Sequence, residues 1–160
     1  MEVIIDQNGQ DGYGREMEDT KKLILNFLAL NSLGVISTVG KNAQPEAALV
    51  AFAETPELEL IFQTQSNTRK YQNLQQNSKV ALVIGWDSVI HKTLQYEGVA
   101  SEVAAQDSEK YIKIFKAKKT PCTEDFLNEP NVKFFKVVPT WIGFSDYTGK
   151  KPQITELFFS

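Results

Sequence analysis

Between Thr64 and Lys70 the chain sets three hydroxyls, a guanidinium and an ammonium close together, on Thr64, Ser66, Thr68, Arg69 and Lys70. These are the groups that hold a phosphate: hydroxyls donate single hydrogen bonds, Arg offers a planar fork and Lys a compact point charge. The same segment opens a helix. Tyr71 and Leu74 share one face, and Asn67 or Thr68 can serve as N-cap. A helix start carries partial positive charge, so each cation in the first turn is unfavourable by roughly a few tenths of a kcal/mol. A bound anion offsets that, because the free N–H groups and the dipole both favour negative charge. The other reading is two solvated cations on flexible stems, and the residue types alone leave both open.

The remaining candidates are weaker. His91 is the single histidine and has no acidic or cysteine cluster beside it, which leaves no catalytic triad except through that residue and predicts a surface position. Cys122 is the single cysteine, in a polar loop. It excludes an internal disulfide, offers no zinc-ligand spacing and is expected as an exposed thiol or a space-filler. Glu54, Glu57 and Glu59 crowd a turn; paired acids can do acid–base work, but a solvated turn is the expectation. Lys110, Lys113, Lys116, Lys118 and Lys119 read as a solvated helix face near a negative helix end. Trp141 and Tyr147 suit a core, a dimer interface or the flank of a planar ligand.

Composition bounds the class. The chain has 160 residues, 42% hydrophobic and 23% charged, with net charge −3, as expected of a soluble globular domain with a full core. General attraction to nucleic acid or anionic lipid is not expected at that charge. No apolar run reaches the roughly 20 residues that span a bilayer. The acidic, Gly-rich opening has neither the basic nor the apolar region of a signal peptide. With a lone cysteine, this predicts a cytoplasmic location.

The elements that position these residues can be read from periodicity. Residues 1–16 are expected as a poorly ordered lead-in, although the apolar run at 3–5 could pair with a sheet edge; a single domain is expected over 17–160. Asp19 or Thr20 is expected to cap a helix whose stripe is Leu23, Phe27 and Leu30, widened by Ile24 and Leu28. Strands are predicted at 33–39, 46–52, 58–64, 79–86 and 93–103, then over 131–147 and at the C-terminus. The 79–86 run is apolar enough to be buried on both faces, and Gly98 marks a bulge or a close approach. Asp107 caps a second long helix with Tyr111, Ile112 and Phe115 inward. Short connections predict a largely antiparallel sheet, best arranged as a small, mainly β barrel with flanking helices.

A hairpin STVGKNAQPEAALVAF, a strand LELIFQT, then SNTRKYQNL and a further strand after NSKV resemble the FMN-binding split-barrel family, best known from pyridoxamine 5′-phosphate oxidase. The resemblance runs from about Lys21 onward, and its specific part lies between Leu33 and Val103. It implies a six-stranded antiparallel split barrel and a homodimer with FMN between the subunits. It places Arg69 and Lys70 on the FMN phosphate with Thr68 beside them, and Phe62, Gln63 and Thr64 at a strand end next to the flavin. Ala48, Leu49, Val50 and Ala51 match a strand whose backbone runs along the isoalloxazine ring. Thr93 aligns with a side-chain amide that contacts flavin in the oxidase, and Trp141 with late-strand aromatics that reach the flavin from the partner.

Departures from the oxidase are equally specific. Its substrate phosphate is held by a Tyr, Arg and Ser set after the fifth strand, and by an Arg and a His near the C-terminus. Here that middle segment has no arginine, the tail has neither residue, and the chain's only arginines are Arg15 and Arg69. This argues against pyridoxamine phosphate oxidation. Two functions are carried forward: an FMN-dependent oxidoreductase of unknown substrate, and a module that binds or senses flavin, haem or another planar ligand without catalysis. A barrel that binds nothing would gain nothing from two cations at a helix start.

Overall fold

The computed structural model describes residues 12–85, 89–104, 106–118 and 120–159, with side chains of the first helix from Glu16 onward. The apolar run at 3–5, most of the expected lead-in, and Trp86 lie outside the described residues. Helix α1 spans Gly12–Ala29. It begins well before the predicted caps, so Asp19 and Thr20 sit within it. Cap-forming residues cost little inside a helix whose face is packed. The buried stripe is Ile24, Phe27 and Leu28, whereas Leu23 and Leu30 are exposed.

Among the described residues seven strands follow: β1 Leu33–Val39, β2 Pro45–Glu54, β3 Leu60–Gln65, β4 Lys79–Ile84, β5 Lys92–Glu102, β6 Val132–Asp146 and β7 Gln153–Phe158. Among the described residues three more α-helices are α2 Arg69–Gln76, α3 Ser108–Ala117 and α4 Glu124–Leu127. All pairings are antiparallel, in the order β3-β2-β1-β4-β5-β6-β7. The first half of β6 also pairs with β3, which closes a six-stranded barrel and leaves β7 as a flap on the second half of β6. The mainly β split barrel with flanking helices is therefore the observed fold. Among the described residues no helix is long and apolar enough to cross a membrane.

The barrel interior is packed by Ile36, Val50, Phe52, Leu60, Phe62, Leu82, Leu94, Tyr96, Phe135 and Phe144, with Ile24 and Leu28 of α1 plugging it. A second cluster lies outside the wall, where Tyr111 and Phe115 of α3 cover Ala51, Ala53, Ile61 and Phe134. Strand β4 corrects the expectation of burial on both faces. Val80, Leu82 and Ile84 point inward, while Lys79, Ala81 and Val83 are exposed, because no described helix covers that part of the wall.

Lys118 and Glu54 also depart from the solvated roles predicted for them. The Lys118 ammonium pairs with the Glu54 carboxylate, donates to Leu28 O at 2.7 Å and lies 4.3 Å from the Phe52 ring centroid. With 9% of its side chain exposed, it pins the end of α3 to α1 and to β2. Glu59 is similarly paired, with Lys136 at 3.1 Å.

The register slips between Glu97 and Gly98, as the glycine predicts. A Cβ at position 98 would lie 2.5 Å from Val138 O and 2.8 Å from Val137 Cγ1. Backbone carbonyls cannot move aside as a side-chain tip can. Gly98→Ala is therefore expected to lower stability by about 1–3 kcal/mol, seen as a lower urea midpoint at unchanged m-value. An unchanged midpoint would show that the strands part freely at the bulge.

Candidate functional site

The ladder between β2 and β3 is short, from Phe52 opposite Phe62 to Glu54 opposite Leu60. On one side of it β2 is paired with β1 back to Pro45; on the other β3 is paired with β6 as far as Gln65. The two strands part between those stretches, and the barrel wall splits. Antiparallel alternation says which peptide groups face the split. Phe52 N donates to Ser32 O and Gly40 N to Gln44 O, so even-numbered residues of β2 bond to β1. The N–H and C=O groups of Leu49 and Ala51 then point away from β1, toward the place a paired β3 would occupy. Ser66 N donates to Asn131 O, so even-numbered residues of β3 bond to β6, and the peptide groups of Gln63 turn toward the split.

An open cleft of about 490 Å3 occupies this split. Leu49, Val50 and Ala51 form one wall, Gln63, Thr64 and Gln65 the other, and Thr68 and Lys70 stand at the α2 end. Pro121, Cys122, Thr123 and Phe126 form the far side. That side is fixed locally by Thr123, which caps α4 by accepting from Phe126 N, and across the cleft by Gln63 Nε2, which donates to Cys122 Sγ at 2.7 Å.

The start of α2 is built as its sequence predicts. Thr68 is the N-cap and its hydroxyl accepts from Tyr71 N at 3.2 Å. The same hydroxyl donates to Gln65 O at 2.8 Å, so its single proton is used. Thr64 Oγ1, 2.9 Å away, is then the donor of that pair. Both hydroxyls serve the turn. The donors left for an anion are the N–H groups of Arg69 and Lys70, which precede the first intrahelical bond from Gln72 N to Thr68 O, and the two cations themselves. Arg69 is 82% exposed, with Nε 3.4 Å from Glu46 Oε1. Lys70 is half-buried at the cleft, its ammonium 6.0 Å from the Phe62 ring centroid, and among the described residues no carboxylate forms an ion pair with it. Burial lowers its pKa below the ordinary lysine value, and the charge of Glu46 opposes part of that shift.

Of the predicted site residues, Leu49, Val50, Ala51, Gln63, Thr64, Thr68 and Lys70 converge on the cleft, with Arg69 beside Lys70 on the same turn. Ala48 precedes this stretch and does not line it. Phe62 is fully buried, stacked on Phe135 with centroids 5.4 Å apart, so its side chain belongs to the core. Thr93 lies outside the lining and donates to Ile84 O at 3.3 Å. Trp141 is also outside it, donating from Nε1 to Glu156 Oε1 across to β7. The sequence reading missed Leu33, Gln65 and the far wall. The one available signal was Thr123 followed by two acids, which reads as a capped helix start.

A sequence profile described as "Pyridoxamine 5'-phosphate oxidase" matches residues 20–146. The chain belongs to the pyridoxamine 5'-phosphate oxidase family. It is 31% identical over 81 residues to the pyridoxine/pyridoxamine 5'-phosphate oxidase of Herminiimonas arsenicoxydans. That match takes in 51% of this chain and 37% of the relative, so the chain spans well under half of the oxidase's length. Among solved structures it is similar to General Stress Protein 26 of Bacillus anthracis strain Sterne, with TM-score 0.64 and 21% identity over 86% of this chain and 98% of that one. It is similar too to a heme binding protein of Mycobacterium smegmatis, with TM-score 0.68 and 11% identity over 82% of this chain and 55% of that one. At these identities the structures speak for the fold alone.

Within this family fold, a Lys70 pKa lowered by burial has a stability consequence with a definite sign. The unfolded lysine holds its proton more firmly, so a protonated Lys70 opposes folding of the ligand-free protein. That penalty is complete below the folded pKa and is relieved as pH rises from there toward the ordinary value of 10.5. Lys70→Met removes it. The variant is expected to be more stable than the parent at neutral pH, with the difference shrinking in alkaline buffer, measured by urea unfolding without added anions. A difference that grows with pH would contradict the burial.

Proposed function

We propose that this chain binds FMN in the split between β2 and β3 and works as an FMN-dependent oxidoreductase whose substrate is not pyridoxamine phosphate. The observation that carries the reading is the half-buried Lys70 ammonium, without an ion-pair partner among the described residues, at the end of a cleft whose walls present unpaired peptide groups. Lys70 and Arg69 would hold the phosphate, assisted by the first N–H groups of α2. The peptide groups of Leu49, Ala51 and Gln63 would meet the donors and acceptors on the edge of the flavin ring. A ring with polar edges and apolar faces suits walls made of peptide edges and the side chains of Leu49 and Phe126. The bound cofactor supplies hydride or electron transfer, and the protein supplies binding and orientation.

The proposal includes one FMN-binding domain from residue 17 onward, a cytoplasmic location consistent with the free thiol of Cys122, and a homodimer. The dimer is supported by the uncovered wall, where Val83, Val99 and Val138 are 46%, 40% and 43% exposed with no described helix over them. The second reading is a haem-binding module, favoured by Cys122, a thiol within the cleft able to ligate iron.

The test is the visible absorption spectrum of the purified protein, followed by FMN titration. Saturable uptake of one FMN per subunit is expected. Arg69→Ala with Lys70→Ala is expected to weaken FMN by about 100-fold, because two charge-assisted contacts are lost, while riboflavin, which lacks the phosphate, is bound equally by both proteins. Haem uptake in place of FMN, or an FMN affinity indifferent to the double substitution, would overturn the flavin reading.

A further inference from the structure

The cation pair at the start of α2 already has an anion beside it. Glu46 lies near the start of β2, on the strand that forms the first wall of the cleft, and 18% of its side chain is exposed. Its Oε1 stands 3.4 Å from Arg69 Nε, and its Oε2 accepts from Asn73 Nδ2 at 3.0 Å. The carboxylate cannot readily swing away. Asn73 is 8% exposed and also donates to Thr38 Oγ1 at 3.0 Å, a residue 2% exposed. Gly40 closes in on the same amide, since a Cβ there would lie 2.8 Å from Asn73 Oδ1. The hairpin and α2 thus hold Glu46 next to the groups that a phosphate would use.

Two cations and one carboxylate leave the cluster with a single positive charge. A phosphate monoester brings about 1.5 to 2 negative charges at neutral pH, whereas a diester brings one. We propose that Glu46 is the specificity-determining residue of this anion site: by its negative charge it weakens the hold on doubly charged phosphate monoesters and so limits how strongly the site favours a phosphorylated ligand over its unphosphorylated form. The ligand named rests on the FMN reading above; the charge arrangement does not. In its ligand-free state Glu46 compensates one of the two cations, so Arg69 is not left facing solvent without a counter-charge. On loading with a dianion, the same carboxylate is a like charge a few ångströms away, and repulsion at that range in a partly solvated cleft amounts to about tenfold in affinity.

The experiment compares the parent chain, Glu46→Gln and Glu46→Asp. Glutamine keeps an acceptor for Asn73 and removes only the charge; aspartate keeps the charge. Affinities are measured for FMN and riboflavin, and inorganic phosphate is scored by its thermal shift. Glu46→Gln is expected to bind FMN about tenfold more tightly, with riboflavin unchanged and a larger shift in phosphate, while Glu46→Asp stays weaker than Glu46→Gln. Weaker FMN binding by Glu46→Gln would overturn the proposal and make Glu46 a support for Arg69 instead. Equal FMN binding would also overturn it. If no protein takes up FMN but phosphate protects Glu46→Gln more than the parent, the flavin reading falls and the role of Glu46 stands. If neither ligand is felt by any of the three, both fall.

Discussion

Strand β3 has two edges and treats them differently. On one it stays with β6 from Leu60 to Gln65 and closes the barrel; on the other it leaves β2 after Phe62. The rest of the site depends on that divergence. It creates the cleft, removes the strand partner of Leu49, Ala51 and Gln63, and delivers the chain directly into the start of α2. The cap that stops β3 is also local. Thr68 takes Gln65 O with both its N–H and its hydroxyl, so the strand end and the helix start are one hydrogen-bonded unit. A cation pair placed on that turn cannot drift relative to the split wall.

Electrostatics then sets what the split is suited to hold. An ammonium drawn into a cleft loses hydration, and the lowered pKa of Lys70 records that loss. Lys118 meets the same cost and is compensated by the Glu54 carboxylate, the Leu28 carbonyl and the Phe52 ring. The contrast between the two lysines is informative. One has a full set of local partners and ties three elements together; for the other the described residues offer the neighbouring charge of Glu46 and the ring of Phe62. The first is accounted for by the fold itself, whereas the second lies at the mouth of an open cleft.

Much of this was legible in the sequence where the determinants are local. The β1–β2 hairpin, the Thr68 cap, the Gly98 slip and the inward face of α3 all follow from turn chemistry and periodicity within a few residues. The convergence of β2 with the α2 start followed from family resemblance, since it joins segments with a whole strand between them. The far wall was not legible, because Gln63 meets Cys122 across 59 positions and neither residue type announces a partner. The charge of Lys118 hid its burial, and its neighbours on α3 are indeed solvated or paired at the surface. The apolar composition of β4 signalled burial that a single chain does not supply. Glu46 was overlooked because, read along the strand, it is only a polar residue after a hairpin loop.

The unpaired stretch of β2 has one more consequence. A strand edge with free N–H and C=O groups, low charge and apolar neighbours is a template for any other extended chain. In Ala47 to Ala51 there is no lysine, proline or bulge to discourage such pairing. Whatever molecule fills the cleft therefore acts as an edge guard as well as a ligand, shielding the opened wall from intermolecular β-pairing. On this fold, solubility of the empty protein and occupancy of its cleft are properties of the same few peptide groups.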